Sequence, residues 1–365
     1  MVSVIDDLLE SLRRKDTSLL ELRERYKILI REYDDRYVLN YDITSTRRFD
    51  PITRVCRQLI ITSDFSRVLC RSFDRFFNLG EDPDSEKFDI AHAVVEEKLD
   101  GSLVALYHDG QAWQYATRTQ AFAEGVLNDQ NMTFRKRITK NCTFPENLAN
   151  KKYTYIFEFC SPYNQIVTKY EKARLSLLAV RETETGTYID KHVEGERIGY
   201  NDFPKEYHFS SNDEILQSVR TLPAQEEGYV CRIGDWRIKI KNPAYLVAAH
   251  SMSDKQIKEL VLAMVAEYEE QEFMAACPEH AEITKKYVSI RDNAEKYISQ
   301  RFVKIRNNSE NRKAFSFIVQ NEEPKYLWPL YFAMYDNDGE FAKTFKKIQA
   351  NVSMKCLLAW EEIVW

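Results

Sequence analysis

The sequence predicts an α+β protein: an N-terminal domain built on antiparallel β-sheet, followed by an all-helical C-terminal domain. Three observations carry that prediction. Apolar residues recur at helical spacing near the start of the chain. From about residue 37 to 242, short runs rich in β-branched and aromatic residues alternate with turn signals. Past Asn242 the strand signals fade and helical spacing resumes.

Taken in order, residues 3–33 read as helix, with Ile5, Leu8, Leu9 and Leu12 on one face and Leu19, Leu22, Tyr26 and Leu29 as a second set. VALYHDGQAWQYATR reads as a hairpin turning at Asp109-Gly110. YTYIFEF (153–159) reads as a strand, and GYVCRIGDWRIKIK (228–241) as a second hairpin turning at Gly234-Asp235. Ser253 followed by Gln256 reads as a capping box, after which Ile257, Leu260, Val261, Met264, Val265 and Tyr268 repeat at helical spacing. The switch of period near 245–255 divides the chain into domains 1–250 and 251–365. No internal repeat or low-complexity linker interrupts it.

A chain of 365 residues suits about two domains. The net charge of −5 confines any nucleic-acid site to a local basic patch. The opening MVSVIDDLLESLRRKD carries acids among its first apolar residues, unlike a signal peptide, and no apolar run reaches membrane-spanning length. Seven dispersed cysteines without a CxxC pair read as reduced thiols, hence a cytoplasmic protein (host cytoplasm if the source is viral) with no disulfide framework. CPEH (277–280) has zinc-ligand types but no second pair.

EEKLDGSLVALYHDG (96–110) sets Lys98 two residues before Asp100, with Gly101 and Ser102 following. A solvated lysine beside a Leu-Asp-Gly turn explains that stretch alone. A nucleophilic lysine needs more: positive charge or burial to free the neutral amine, further cations for a polyphosphate, and carboxylates for a metal and a sugar. Each has a candidate. Glu158 lies in a strand with Phe157 and Phe159 facing the opposite way; it also reads as an edge-strand surface residue. Glu227 precedes a Gly and a short apolar strand. Lys239 and Lys241 share one strand face, with Ile238 and Ile240 on the other; that pair is either a solvated face or an anion clamp.

In this collinear order the residues resemble the phage-type RNA ligase 1 family of the covalent nucleotidyltransferases. CRQLI (56–60), RSFDRFFNLGED (71–82), EKLDGSLV, FEFCSPYNQIV (157–167), LLAVRETETGTYI (177–189), EGYV and KIKN look like its successive motifs, covering about residues 37–250. The resemblance implies an ATP-grasp-like nucleotidyltransferase domain and an ATP-dependent RNA ligase. Lys98 would attack the α-phosphorus of ATP, and AMP would pass to an RNA 5′-phosphate. A 3′-hydroxyl would then displace AMP. Glu158 would hold the ribose and Glu227 would orient metal-bound water, with Mg2+ or Mn2+ as the ion. Lys239 and Lys241 would bind the α-phosphate and help free the Lys98 amine. Arg57 would reach the triphosphate, Phe77 would flank the adenine, and Tyr41, Arg75, Asp100, Gly101 and Arg118 complete the nucleotide-binding set. The chain departs from the family at Gln58, where Gly is common, and at Arg118-Thr119, where Lys-Gly or Arg-Gly is usual. The C-terminal acidic metal ligand has no assigned position; EYEEQE (267–272) lies in its zone but reads equally as a solvated helix face.

DNA ligases and capping enzymes share the lysine motif but follow the fifth motif with a β-barrel, whereas this chain turns helical. The helical tail resembles a tRNA-docking module, which implies monomeric action on RNA with 5′-phosphate and 3′-hydroxyl ends, in tRNA repair, beside a separate polynucleotide kinase-phosphatase. No GxxxxGK[ST] loop occurs in the sequence. KYISQRFVKIRNNSENRK (296–313) offers six cations against Glu310, with Tyr297 and Phe302 as stacking candidates; FRKRITKN (134–141) is a second basic stretch and a candidate 5′-phosphate site. A non-catalytic RNA-binding scaffold is the alternative of another class.

Overall fold

The computed structural model describes residues 4–42, 47, 49–126, 132–164, 167–250, 257–276, 280–337, 339–347, 356–357 and 359–360. The chain divides into two compact units, Met1–Tyr245 and Leu246–Trp365.

The first unit opens with helices Val4–Arg14 and Leu19–Tyr26. Ile5, Leu8, Leu9 and Leu12 are buried with Leu39, Leu59 and Ile61 of the adjoining sheet, each such side chain contributing about 1.5–3 kcal/mol. The expected helix does not reach residue 33. Lys27 adopts a left-handed φ of 53° and caps the second helix, and ILIRE then pairs as a strand that turns Leu29 outward.

The strands in chain order are β1 (Ile28–Glu32), β2 (Arg36–Tyr41), β3 (Leu59–Thr62), β4 (Val68–Arg71), β5 (Phe77–Asn78), β6 (Val94–Glu97) and β7 (Ser102–His108). After them come β8 (Trp113–Thr117), β9 (Tyr153–Cys160), β10 (Arg174–Glu182), β11 (Tyr188–Ile189), β12 (Glu206–Tyr207), β13 (Gly228–Ile233) and β14 (Trp236–Lys241). They form three sheets, ordered β1-β2-β3-β4, β11-β10-β9-β7-β8 and β12-β6-β13-β14-β5. All neighbours run antiparallel except β14 and β5.

Both expected hairpins form. That between β13 and β14 turns on Gly234-Asp235, with Gly234 at φ 56°. The β7–β8 turn is wider than the two residues expected. His108 pairs with Trp113, and Asp109 Oδ1 accepts from the N–H groups of Gln111 and Ala112 at 3.0 and 2.9 Å. An Asx turn satisfies donors that a tighter turn would have paired across the ladder.

Alternation along β6, β13 and β14 sends Val95, Tyr229, Cys231, Ile238 and Ile240 into one core. Glu96, Val230, Arg237, Lys239 and Lys241 therefore share the opposite face. In β9, Phe157 and Phe159 are fully buried on the side away from Glu158, as the alternation predicted. Arg237 of β14 meets Tyr188 of β11 at 4.0 Å, so the groove face of one sheet lies against the other.

The second unit packs helices Ile257–Ala266, Ala281–Asn307, Arg312–Glu322, Trp328–Tyr335 and Phe341–Lys347 around one core. Along the longest of them Tyr287, Ile290, Ala294, Ile298, Phe302 and Ile305 recur every three or four residues and are buried. No described helix is long and apolar enough to cross a membrane. The Ser253–Gln256 cap and the Cys277–Glu279 part of CPEH lie outside the described residues.

Candidate active site

Lys98 directly follows β6. Its N–H donates to the Gly228 carbonyl at 2.8 Å, which fixes it beside the start of β13. Gly228 takes φ 128°, and a Cβ there would fall 2.1 Å from the Ile240 carbonyl oxygen, so only glycine allows this approach. Glu227, just before it, is held inward by the Asn242 N–H, which donates to the Glu227 carbonyl at 2.9 Å. The Glu227 carboxylate then lies between two amines: Oε2 is 2.5 Å from Lys98 Nζ and Oε1 is 3.5 Å from Lys241 Nζ. The Lys241 amine therefore stands on the far side of the Glu227 carboxylate from the Lys98 amine, with the acid interposed between the two.

Asp100 is buried and tied to protein donors. Oδ2 accepts from the Val167 and Thr168 N–H groups at 2.9 and 2.7 Å, and Oδ1 accepts from the Tyr245 hydroxyl at 2.8 Å. It anchors the loop rather than facing the groove. Gly101 lies against β9: a Cβ there would be 2.6 Å from the Phe159 carbonyl oxygen and 3.0 Å from Glu158 Cγ. That contact brings Glu158 to the lysine loop. Burial pushes the Glu158 carboxyl up to about 8; Lys98 and Arg57 pull it down, while Glu227 and Asp100 add to the rise.

A second cluster surrounds Tyr41 at the end of β2. The Arg75 guanidinium stacks 4.1 Å from its ring centre and Arg118 stands at 5.2 Å. Burial alone would raise the Tyr41 phenol, yet Arg57, Arg118, Arg75 and Lys239 outweigh it and bring it down to about 8. Burial among these cations also lowers the Arg57 guanidinium, and its Nε is buried with no protein acceptor. Gln58 occupies the position where glycine was expected, and it does adopt a left-handed φ of 52°. Its side chain offsets that strain by donating from Nε2 to the Ala116 carbonyl at 2.9 Å. Thr119, where a glycine was also expected, takes no left-handed φ.

Phe77 is buried in β5 beneath Arg75, 5.2 Å from its guanidinium. The neighbouring Phe76 is the half-buried ring, with Arg57 at 4.9 Å and Lys239 at 5.7 Å, and the sequence reading passed over it. Glu96 was missed too. It precedes Lys98 by two residues, a same-face spacing visible in the sequence, and forms a buried ion pair with Lys191. Nothing in the sequence marked Lys191. Farther along the groove face, a cavity of about 250 Å³ is lined by Leu178, Tyr188, Lys191, Arg232 and Arg237.

The C-terminal basic stretch is less open than its sequence suggested. Phe302 is packed in the helical core and is unavailable for stacking, because it falls on the buried stripe of its helix. Arg301 binds Glu322 and Glu323, and Arg312 binds Asp336. Tyr297 remains exposed beside Trp360. In the acidic run, Glu270 is buried against Arg291 at 3.1 Å.

A sequence model described as RNA ligase matches residues 55–245. A protein of Autographa californica nuclear polyhedrosis virus, carrying the name of a bifunctional polynucleotide kinase/RNA ligase, is 31% identical over 74% of this chain and 42% of its own. An RNA ligase of Rhodothermus phage RM378 is 26% identical, covering 95% of each chain. An archaeal ATP-dependent RNA ligase structure aligns at 14% identity with a TM-score of 0.48, over 88% of this chain and 89% of that one. The chain spans less than half the length of the curated relatives it matches first.

Proposed function

The chain belongs to the RNA ligase family, and from that premise we propose that it is an ATP-dependent RNA ligase joining 5′-phosphate to 3′-hydroxyl ends through a lysyl-AMP on Lys98. The observation that carries this reading is the Glu227 carboxylate held between Lys98 and Lys241 at 2.5 and 3.5 Å, with Glu158 drawn up by Gly101.

The attacking amine must be neutral, so Lys98 gives up a proton to the adjacent Glu227 carboxylate, which passes it to solvent. The amine nitrogen bonds to the α-phosphorus while the bond to the bridging oxygen breaks and pyrophosphate leaves. Arg57, Arg75, Arg118 and Lys239, gathered round Tyr41, receive the polyphosphate charge. Lys241 holds the α-phosphate, and Glu158 accepts hydroxyl hydrogens of the ribose. Phe76 forms the aromatic floor beside these cations, and Phe77, buried beneath Arg75, supports them from below. Asp100 acts by holding the lysine loop to Val167, Thr168 and Tyr245.

The second step transfers AMP. An oxygen of the RNA 5′-phosphate attacks the adenylyl phosphorus, the phosphorus–nitrogen bond breaks, and Lys98 recovers a proton. In the third step the 3′-hydroxyl oxygen attacks the 5′-phosphorus, loses its proton, and AMP departs. Oxygen donors suit a hard divalent cation, and Glu227 would hold Mg2+ or Mn2+ through water, the ion polarising the phosphate oxygens.

We assign residues 1–250 to adenylyl transfer and 251–365 to RNA docking, with tRNA as the substrate and the monomer as the working unit. A polynucleotide kinase-phosphatase prepares the ends, since no phosphate-binding loop occurs in these residues. The viral relative's name, which pairs kinase with ligase, supports that partnership.

Incubation with α-labelled ATP and magnesium should leave label on the protein, and Lys98→Ala should carry none. Equal labelling of that variant removes the assignment. A 5′-phosphorylated RNA oligonucleotide should be sealed into circles; preference for nicked duplex DNA, or for GTP, would point to a DNA ligase or a capping enzyme.

A further inference from the structure

The ligase reading leaves one feature of the N-terminal unit without a role. Tyr163, in the loop after β9, is 49% exposed, although the guanidinium of the buried Arg137 lies 4.6 Å from its ring centre. A ring fixed by a cation beneath and still open to solvent presents a flat, pre-positioned surface.

That surface is anchored to the lysine loop. Asn164, the next residue, donates from Nδ2 to Ser102 Oγ at 3.1 Å and to the Phe159 carbonyl at 2.9 Å. Ser102 follows Gly101, four residues after Lys98. Ser161 Oγ accepts the Tyr163 N–H at 3.0 Å and closes the turn.

Arg137 comes from helix Phe134–Asn141, which carries Arg135, Lys136, Arg137 and Lys140 and no acid. Arg135 is committed to Gln114 Oε1 and the Trp113 carbonyl. Lys136 and Lys140 are exposed, one turn apart. With about 100° between successive residues, Lys136 and Lys140 lie within about 100° of Arg137 round the helix, both on the same flank of it. An aromatic platform flanked by a row of cations is the chemistry that grips single-stranded nucleic acid: stacking tolerates any base, and the lysines follow the backbone.

We propose that Tyr163 and this helix face seat the 5′-phosphorylated end of a single RNA strand, with its terminal region stacked on Tyr163 and its backbone phosphates on Lys136 and Lys140. The proposal rests on the ligase reading and adds the site of its second substrate. It is tested on the full chain, adenylylated with ATP and magnesium, against a 5′-phosphorylated single-stranded RNA oligonucleotide. Tyr163→Ala should weaken binding, read by fluorescence anisotropy, by about tenfold or more, and slow AMP transfer to the strand, while lysyl-AMP formation stays at the wild-type rate. Tyr163→Phe should restore both. Replacing Lys136 and Lys140 together by alanine should flatten the logarithmic salt dependence by roughly 1.4, at about 0.7 for each lost phosphate contact. Unchanged binding and transfer in Tyr163→Ala, or Tyr163→Phe failing as badly, overturns this seat while the ligase reading stands. Wild-type protein that takes no label from ATP overturns both.

Discussion

Glu227 Oε2 lies 2.5 Å from Lys98 Nζ, and the same carboxylate reaches Lys241 Nζ at 3.5 Å. One buried acid therefore governs both amines nearest the proposed reaction. In the proposed mechanism it would serve as counter-charge before nucleotide arrives and as proton acceptor when the amine attacks.

Replacing Glu227 by Gln keeps the shape and removes the charge. The rate of protein labelling from ATP should fall by about 10²-fold or more, the scale for removing one preorganised electrostatic group. Single-turnover labelling measures it directly. A rate within a few-fold of wild type would reduce Glu227 to a structural partner of the two lysines.

Gly101 makes a separate prediction. With a Cβ 2.6 Å from the Phe159 carbonyl oxygen, Gly101→Ala must push the lysine loop away from β9. The neighbour is backbone and cannot swing aside, so a cost of about 1–3 kcal/mol is expected in a thermal or denaturant melt. Displacing Lys98 relative to Glu158 by even 1 Å should also slow labelling by about 10²-fold. A variant that melts normally and labels normally would mean the loop and β9 need not touch.

What the sequence reveals follows from what it encodes locally. Around Glu158 in β9 and along Ile238–Lys241 in β14, buried residues alternate with half-buried ones, so those faces were readable, whereas Thr154–Phe157 of β9 is buried on both sides and shows no such alternation. Residues 28–33 were misread as helix because ILIRE continues an apolar spacing, and only the left-handed Lys27 and pairing with β2 override it. The acid between Lys98 and Lys241 was invisible as a bridge, since 129 positions separate Lys98 from Glu227 in the chain. Lys191 and Phe76 escaped for the same reason: their roles are set by which strands lie opposite them. Gln58 was legible as a departure, but the hydrogen bond to Ala116 that compensates it was not.

The Glu158 carboxyl, raised to about 8 chiefly by burial, predicts a pH dependence of stability. Folding makes this acid hold its proton more tightly than in the unfolded chain, where a glutamate titrates near 4.3. Its contribution is fully present below that range and is lost as pH climbs toward about 8. Glu158→Gln should therefore match wild type near pH 4–5 and melt at a higher temperature than wild type at about pH 8–9. Parallel melts across that range decide it; curves that coincide at every pH would show that the carboxylate is fully compensated. The same variant should slow labelling most above about pH 8, where wild type presents a carboxylate with two acceptor oxygens for the ribose hydroxyls and the amide presents only one.

Tyr41 titrates in the opposite sense. Burial would raise its phenol, but Arg57, Arg118, Arg75 and Lys239 together bring it down to about 8. The folded state therefore favours the phenolate, adding stability that is absent below about pH 8 and grows toward the unfolded tyrosine value near 10. Ultraviolet difference titration should show one tyrosine ionising near pH 8, missing in Tyr41→Phe. These cations are the ones assigned to the polyphosphate, so inorganic triphosphate, by offsetting their charge, should drive the Tyr41 titration back up. If triphosphate binds yet the titration stays in place, the polyphosphate lies elsewhere and the cluster around Tyr41 serves the fold alone.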